Sequence, residues 1–438
     1  MRLHLLCLFI AACCCLSGQA LAQSEEAEVD PLEEFRGQIV KAIKVRGTHI
    51  TKDYIVTREI WTDEGKALDP DLVREDITRL ENLSIFGSVV VTPKAVTGGV
   101  ELNFDFTEMP WLIPYPALKY TEENGFSIGV GVTSPNFAGK DVTLSASVLV
   151  GGTNTYNFGA ANPWVSGNHR SYALKAWHMV RDNVVLDFRE TTNLAAVQGG
   201  TYIGEPGRAT LGIAYYAVTS DRDSITLDSD NTDNLWTVLS SIGYDGRDSW
   251  RVPHNGWWMK LSPIFLGGDA HSWTLQFDVR RFQPVAKRHT IATGPLFSFQ
   301  SGAVGVQIPS YMQYFLGGAN TIRGYKLKEL GREIFGKNQF LYTLEYRYLL
   351  VPLKAYKIIK WTVGIGFELA AFGDIGIAWS TADEFSWDRT RFGYGVGFRA
   401  LLPAIGQVRF DMGISQYGDV VFNFGIGSIF DARAKKIR

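Results

Sequence analysis

From Trp111 to Phe430 apolar and polar residues take turns along the chain. Phe126, Ile128, Val130 and Val132 alternate with Ser127, Gly129, Gly131 and Thr133, and Trp273, Leu275, Phe277 and Val279 alternate with Thr274, Gln276, Asp278 and Arg280. Successive side chains of an extended strand point to opposite faces, so each stretch has one apolar face and one of small, polar or charged groups. That pattern suits a transmembrane β-strand between lipid and a wet lumen. A soluble sandwich shares the apolar face but rarely carries glycine on the other face of so many strands. There are about sixteen such segments, at roughly twenty residues for each strand and its connection, which fits tilted spans of ~9–11 residues. An even count lets an antiparallel barrel close. Trp164, Trp236, Trp258 and Trp379 lie near segment ends, where they suit interfacial girdles or, equally, a core.

Residues 35–108 follow other periods. Ile39, Ile43 and Val45 with Gly47 predict a strand and a turn, and Thr51-Lys52-Asp53-Tyr54 opens a helix. Asp69-Pro70 starts a second helix, on which Leu72, Ile77, Leu80 and Leu83 recur at helical spacing. Two strands follow, Ser88 to Val91 and Val100 to Phe106, joined through Gly98-Gly99. The expectation is a small α+β domain of order β-α-α-β-β.

The first 22 residues read as a secretory signal, with Arg2, an apolar run from Leu3 to Leu16, and Ala20-Leu21-Ala22 before the cut. Ile10 to Cys13 also fits a lipoprotein box, behind an apolar core that is short for a signal. Cys7, Cys13, Cys14 and Cys15 all lie in this stretch, so the mature chain is expected to have no thiol for a disulfide, metal or nucleophile. Residues 23–34 are an acidic linker, and a basic tail, 431–438, follows Phe430. No later apolar run approaches the roughly 18 residues of a membrane helix. An exported chain of this kind is periplasmic, secreted or a barrel, since only helices and closed barrels satisfy the backbone in lipid.

Composition narrows the functions. The chain has 438 residues, 45 of them glycine, and a net charge of -2, so no basic surplus points to nucleic acid. The seven histidines are scattered. No nucleophile elbow or metal-ligand spacing accompanies them, so neither an enzyme nor a cofactor or metal is expected.

The alternation breaks between 303 and 338 around Phe315 to Gly324, FLGGANTIRG, followed by Tyr325. A connection this long is either functional or disordered. Gly317, Gly318 and Gly324, the cation Arg323, and the aromatics Phe315 and Tyr325 are not the composition of disorder. On the next segment Phe340, Tyr342, Leu344, Tyr346 and Tyr348 share a face, which turns Thr343, Glu345 and Arg347 to the lumen. On the one after, Val363, Ile365, Phe367 and Leu369 face lipid while Glu368, Phe372, Asp374 and Gly376 face inward. By the same parity Arg399, Arg409 and Asp411 point inward. Glu345 and Asp374 can therefore supply the planar, charge-assisted acceptors that a buried loop guanidinium needs; they can also serve the lumen cations Arg347, Arg399 and Arg409.

Ile322-Arg323-Gly324-Tyr325 resembles the V/I-R-G-Y/F signature in the sixth extracellular loop of the POTRA-barrel superfamily. That superfamily includes BamA-type insertases, TamA-like proteins and two-partner secretion transporters. Phe372-Gly373-Asp374-Ile375-Gly376 resembles its F-x-D-x-G motif, and Gly393 to Arg399 with Pro403, Gly406 and Val408 to Asp411 resembles its penultimate hairpin. Ile43, Val45 and Gly47 with Gly65, Leu68-Asp69, Leu80 and Phe86-Gly87 resemble a POTRA domain. The resemblance implies a sixteen-stranded outer-membrane barrel at 111–430 behind a single periplasmic POTRA domain at 35–108, where relatives have several. It also implies a loop folded into the barrel, with Arg323, Gly324 and Tyr325 anchored on Glu345 and Asp374.

For function it implies assembly or translocation of unfolded or extended outer-membrane or secreted polypeptides, in contact with outer-membrane lipid and with periplasmic accessory proteins as further partners. The second POTRA strand is expected at a sheet edge, where Val89, Val90 and Val91 carry no charge or proline and would accept a client strand. The barrel seam is expected between Leu112 to Tyr120 and Val420 to Phe430, with Leu118 and Tyr120 facing Asn423 and Gly425. Pro114 and Pro116 remove donors there, and Gly425 and Gly427 loosen the last strand, unless pairing begins only at Leu118. The alternative is a passive pore or structural component whose POTRA domain docks a periplasmic partner.

Overall fold

The computed structural model describes residues 30–121, 124–167, 169–204, 206–249, 252–325, 335–358, 361–402, 406–426 and 429. The predicted signal peptide, most of the acidic linker, Gly427, Phe430 and the basic tail lie outside the described residues.

The first unit contains β1 (Val40–Arg46), α1 (Asp53–Thr57), α2 (Pro70–Asn82), β2 (Phe86–Val96) and β3 (Gly99–Glu108). Asp69 caps α2 by accepting from Asp71 N, with Pro70 in the first turn, where a missing donor costs nothing. Val73 and Leu80 on its inner face pack with Val40, Ile55, Leu68 and Phe104 in one core. Leu32 is buried in that core, and Arg74 holds Asp30 and Glu33 at 2.7 and 2.5 Å, so the folded unit includes the residues just before Phe35. In the sheet β3 is central, parallel to β1 and antiparallel to β2, which leaves β2 at an edge. Gly47 turns with φ +85°, and a Cβ there would lie 2.1 Å from the Phe106 carbonyl oxygen, so only glycine fits after β1.

The second unit is a sixteen-stranded antiparallel sheet. Its strands are β4 (Ile113–Thr121), β5 (Gly125–Phe137), β6 (Val142–Gly151), β7 (Thr153–Ser166), β8 (Arg170–Asn183), β9 (Phe188–Ile203), β10 (Gly207–Ser220), β11 (Thr232–Asp245), β12 (Gly256–Gly268), β13 (Ser272–Ala286) and β14 (His289–Gln300). After the long loop, which holds the short pair β15 (Tyr314–Phe315) and β16 (Phe335–Gly336), come β17 (Asn338–Ile358), β18 (Trp361–Trp379), β19 (Arg391–Leu402), β20 (Gly406–Ser415) and β21 (Val420–Ile426). Each strand pairs with its neighbour in sequence, and β14 pairs with β17 across the loop. The alternation sorts side chains as expected for a barrel: Phe126 is 77% exposed outside while Ser127 beside it is 1% exposed inside.

Two of the expected girdle tryptophans are elsewhere. Trp236 faces outward, but Trp258 turns inward beneath the Arg280 guanidinium at 3.8 Å. Trp164 lies at the contact with the first unit, stacked on His169 at 3.6 Å, with Arg58 at 4.5 Å on its ring. His169 stacks in turn on Tyr202 at 3.9 Å, and Arg208 closes the ladder at 3.3 Å. Arg58 also donates to Asp141 Oδ2 and to the Trp164 carbonyl, both at 3.0 Å, while Lys52 N donates to Gly139 O at 2.9 Å. The α+β unit is thus seated on the short turns at one end of the barrel, and the long connections 221–231, 301–337 and 380–390 emerge at the other.

Among the described residues the last strand runs to Ile426, and Ile429 is buried against Phe282 and Ala292 on the inner face of β13 and β14; the expected end at Phe430 lies outside the described residues.

Candidate functional site

The long loop re-enters the barrel. Its tip is stiffened from within: Gly317 N donates to Thr321 Oγ1 at 2.7 Å and Gly318 N to Tyr325 O at 3.0 Å. Leu316, Ile322 and Tyr325 then pack on Leu296, Leu341 and Ala378 of the wall.

This packing delivers Arg323 into the interior with 0% exposure. Its Nε and Nη2 donate to the two oxygens of Asp374 at 2.7 and 2.9 Å, and Nη1 reaches Glu345 Oε1 at 2.6 Å. Phe372 lies under the guanidinium, with its ring centroid 3.4 Å from Cζ. Arg347 takes the other Glu345 oxygen at 2.7 Å and approaches Glu368 at 3.9 Å. Arg399 reaches Glu345 at 3.2 Å and also binds Asp411, which Arg409 approaches at 3.4 Å. Arg409 further donates to Ala319 O and Asn320 Oδ1 of the tip at 3.2 and 2.8 Å.

Four guanidinium groups therefore meet four carboxylates in one water-poor cluster. A buried charge is tolerated when it is paired and hydrogen-bonded, and the alternation placed each partner on the inner face. Glu345 meets the loop Arg323 and the wall cations Arg347 and Arg399 together.

Glycines on β19 and β20 make the room. A Cβ at Gly393 would sit 1.9 Å from Arg323 O, one at Gly395 2.7 Å from the Phe372 ring, one at Gly397 2.1 Å from Asp411 Oδ1, and one at Gly413 2.5 Å from Gly324 N. The G-x-G-x-G run thus forms a bare strip on which the loop backbone, the ring and an ion pair lie in turn. Alternation alone supplies no reason for that spacing. It also concealed a second hold on the loop: Tyr311 OH donates to Asp233 Oδ2 at 2.5 Å inside a cluster with Ile308, Phe188 and Leu235. Neither residue belongs to a spaced motif.

On β2, Val90 is 54% exposed, whereas Val89 is buried in the core and Val91 is packed against it. Among the described residues β2 pairs with β3 alone. At the seam, β4 pairs with β5 from Ile113 onward, through Pro114 and Pro116, so pairing does not wait for Leu118. Proline fits a paired strand only with its nitrogen turned to the open edge, which puts the missing donors on the side away from β5. Among the described residues no ladder joins β4 to β21. Leu118 faces outward but Asn423 is buried on the inner side, and a Cβ at Gly425 would meet the inward Arg409 side chain, so these residues do not share a face as expected.

Comparison with known proteins agrees with this architecture. Residues 121–430 match the profile of the Omp85 superfamily domain, and 38–109 that of the POTRA, or surface antigen variable number, repeat. Outer membrane protein assembly factor BamA of Nitratidesulfovibrio vulgaris is 22% identical over 400 residues, covering 85% of this chain and 48% of the relative. Its namesake in Neisseria meningitidis serogroup B is 22% identical over 473 residues, covering 93% and 57%. The chain spans about half the length of these curated relatives. Among solved structures, BamA from Haemophilus ducreyi lacking POTRA domains 1-3 superposes with a TM-score of 0.57 at 18% identity, over 89% of this chain and 84% of that one. CdiB from Acinetobacter baumannii gives 0.52 at 10% identity, over 89% and 73%. The chain belongs to the Omp85 superfamily, with its barrel in the outer membrane and its POTRA domain on the periplasmic side.

Proposed function

We propose that this protein is a polypeptide-handling barrel rather than an enzyme. It receives extended outer-membrane or secreted chains at the POTRA edge β2 by backbone pairing and admits them between β4 and β21. The observation that carries this reading is the seam. Over the described residues the two end strands run for 9 and 7 residues against 21 for β17, and β4 has two prolines with no donor to offer its open edge. A barrel that only conducts solutes gains from a fully paired closure; one that hands strands sideways needs a place where few hydrogen bonds break. Loop-tip contacts on β17 to β20 brace the wall beside that place, which supports a role for Arg323, Gly324, Tyr325, Glu345 and Asp374 as its anchor.

A disulfide across the seam tests the reading. Cysteines must share a face to bond, so Leu118→Cys is paired with Phe422→Cys or Phe424→Cys on the outer face. Oxidation is expected to stop insertion of a client barrel into vesicles, and reduction to restore it. Insertion that continues with the bond formed would exclude lateral admission. Conductance without any client-dependent activity would favour a pore docked to a periplasmic partner.

A further inference from the structure

Among the described residues Trp387 is the most exposed large apolar side chain, at 85%. It lies on the extracellular connection between β18 and β19, and that connection is pinned. Ser380 N donates to Glu384 Oε2 at 2.6 Å, Phe385 packs edge-on against Trp379 with ring centroids 4.9 Å apart, and Arg389 meets Glu384 at 3.4 Å. Thr390 N returns to Trp387 O at 3.0 Å. The connection that presents the indole is therefore held in place, and the ring forgoes burial unless something outside the chain covers it.

Beneath it opens a notch of about 620 Å³. The floor is Ile375 and Phe392, outward residues of β18 and β19, and the rim is Trp387, Asp388, Gln416 and Tyr417. Since the floor continues the lipid-facing wall and the rim stands at its extracellular end, the occupant that fits is an amphiphile of the outer leaflet, where indoles favour the headgroup zone. Two aromatic rings, a carboxylate and a carboxamide match the C–H faces and hydroxyls of a sugar ring. They match a bare phosphate poorly, because the one charged side chain that lines the notch among the described residues is the Asp388 carboxylate, while Arg391 stands outside the lining with its Nη1 turned to the Asp388 and Thr390 carbonyls at 2.6 and 3.2 Å. We propose that this notch binds an outer-leaflet glycolipid, with its saccharide head between Trp387 and Tyr417 and a tail along Ile375 and Phe392.

The full chain in phosphatidylcholine nanodiscs tests this. The discs are doped with either a monoglucosyl lipid or phosphatidylethanolamine, each with dibrominated tails that quench nearby indoles. The emission of Trp387 is isolated as the difference from Trp387→Phe. The glucosyl lipid is expected to half-quench it at about fivefold lower mole fraction, near 1 kcal/mol of preference. Asp388→Asn should erase the preference while the barrel stays heat-modifiable. Equal quenching by both lipids would mean ordinary boundary lipid and overturn the site, as would a preference that survives Asp388→Asn. No quenching by either would put Trp387 clear of the membrane and overturn the lipid reading.

Discussion

Every hydrogen bond to Asp374 among the described residues comes from Arg323: Nε at 2.7 Å, Nη2 at 2.9 Å and the backbone N at 3.2 Å. Glu345 by contrast keeps Arg347 and Arg399 if Arg323 is lost. Arg323→Ala is therefore expected to strand Asp374 and weaken the loop anchor by about 3–5 kcal/mol, the scale for breaking a buried pair. Loop 301–337 should be cut by protease at lower dose while the barrel remains heat-modifiable on gels. Arg323→Lys should rescue little, since one ammonium cannot reproduce the fork. Unchanged protease resistance in both variants would count against the anchor.

The glycine strip gives a sharper comparison. Gly393→Ala places a methyl 1.9 Å from the Arg323 carbonyl oxygen, whereas a Cβ at Gly373 on the neighbouring strand meets nothing within 4 Å. Gly393→Ala should reproduce the loop release of Arg323→Ala, and Gly373→Ala should behave as the parent. The same protease titration decides it; matching behaviour of the two glycine variants would remove the strip from the anchoring account.

The POTRA seat should respond to pH. Arg58 meets Asp141 at 3.0 Å and Glu59 at 3.6 Å, so two carboxyls share one guanidinium. Burial pushes Asp141 up to about 7 and Glu59 up to about 7, against the pull of Arg58 on both and of Arg79 on Glu59. Both stand above the solvated values of 3.8 and 4.5, so the seated state holds protons more tightly and its contribution is lost as pH rises through about 7. His169 acts in the opposite sense. Burial, with Arg208 and Arg58, lowers it to about 4, so its contribution is present above 6.5 and lost toward about 4. Between pH 6.5 and 8.5 only the carboxyls titrate. Amide exchange over 50–59 and 136–141, corrected for its intrinsic pH dependence, should increase across that window, and Asp141→Asn should flatten the rise. A flat profile in the parent would exclude raised carboxyls at the seat.

Alternation made the barrel wall legible, because lipid on one side and packed charge on the other impose a strict period of two. The same period turned Glu345, Asp374, Arg399, Arg409 and Asp411 inward, and the cluster follows from it. The seat of the POTRA domain was not legible, since Arg58, Asp141 and Trp164 are single residues from distant stretches whose meeting depends on how two units dock. The end of β21 was hidden for another reason. The alternation of Val420, Phe422, Phe424 and Ile426 passes Gly425 without breaking, so Gly427 carries no distinguishable stop signal, and residues 427, 428 and 430 lie outside the described ones. The seam faces were legible but miscounted: Leu118 and Asn423 fall on opposite sides of the sheet.

Ile429 gives the end strand a mechanical property. Around the wall, β14 and β13 stand five and six strands from β21, and at about 4.8 Å per step that path is at least ~24 Å. Three residues beyond Ile426 reach at most ~10 Å, so the contact with Phe282 and Ala292 is a chord thrown across the interior. A chord couples two motions: β21 cannot swing outward from its end without first drawing Ile429 off Phe282, which uncovers a side chain whose burial is worth about 1.5–3 kcal/mol.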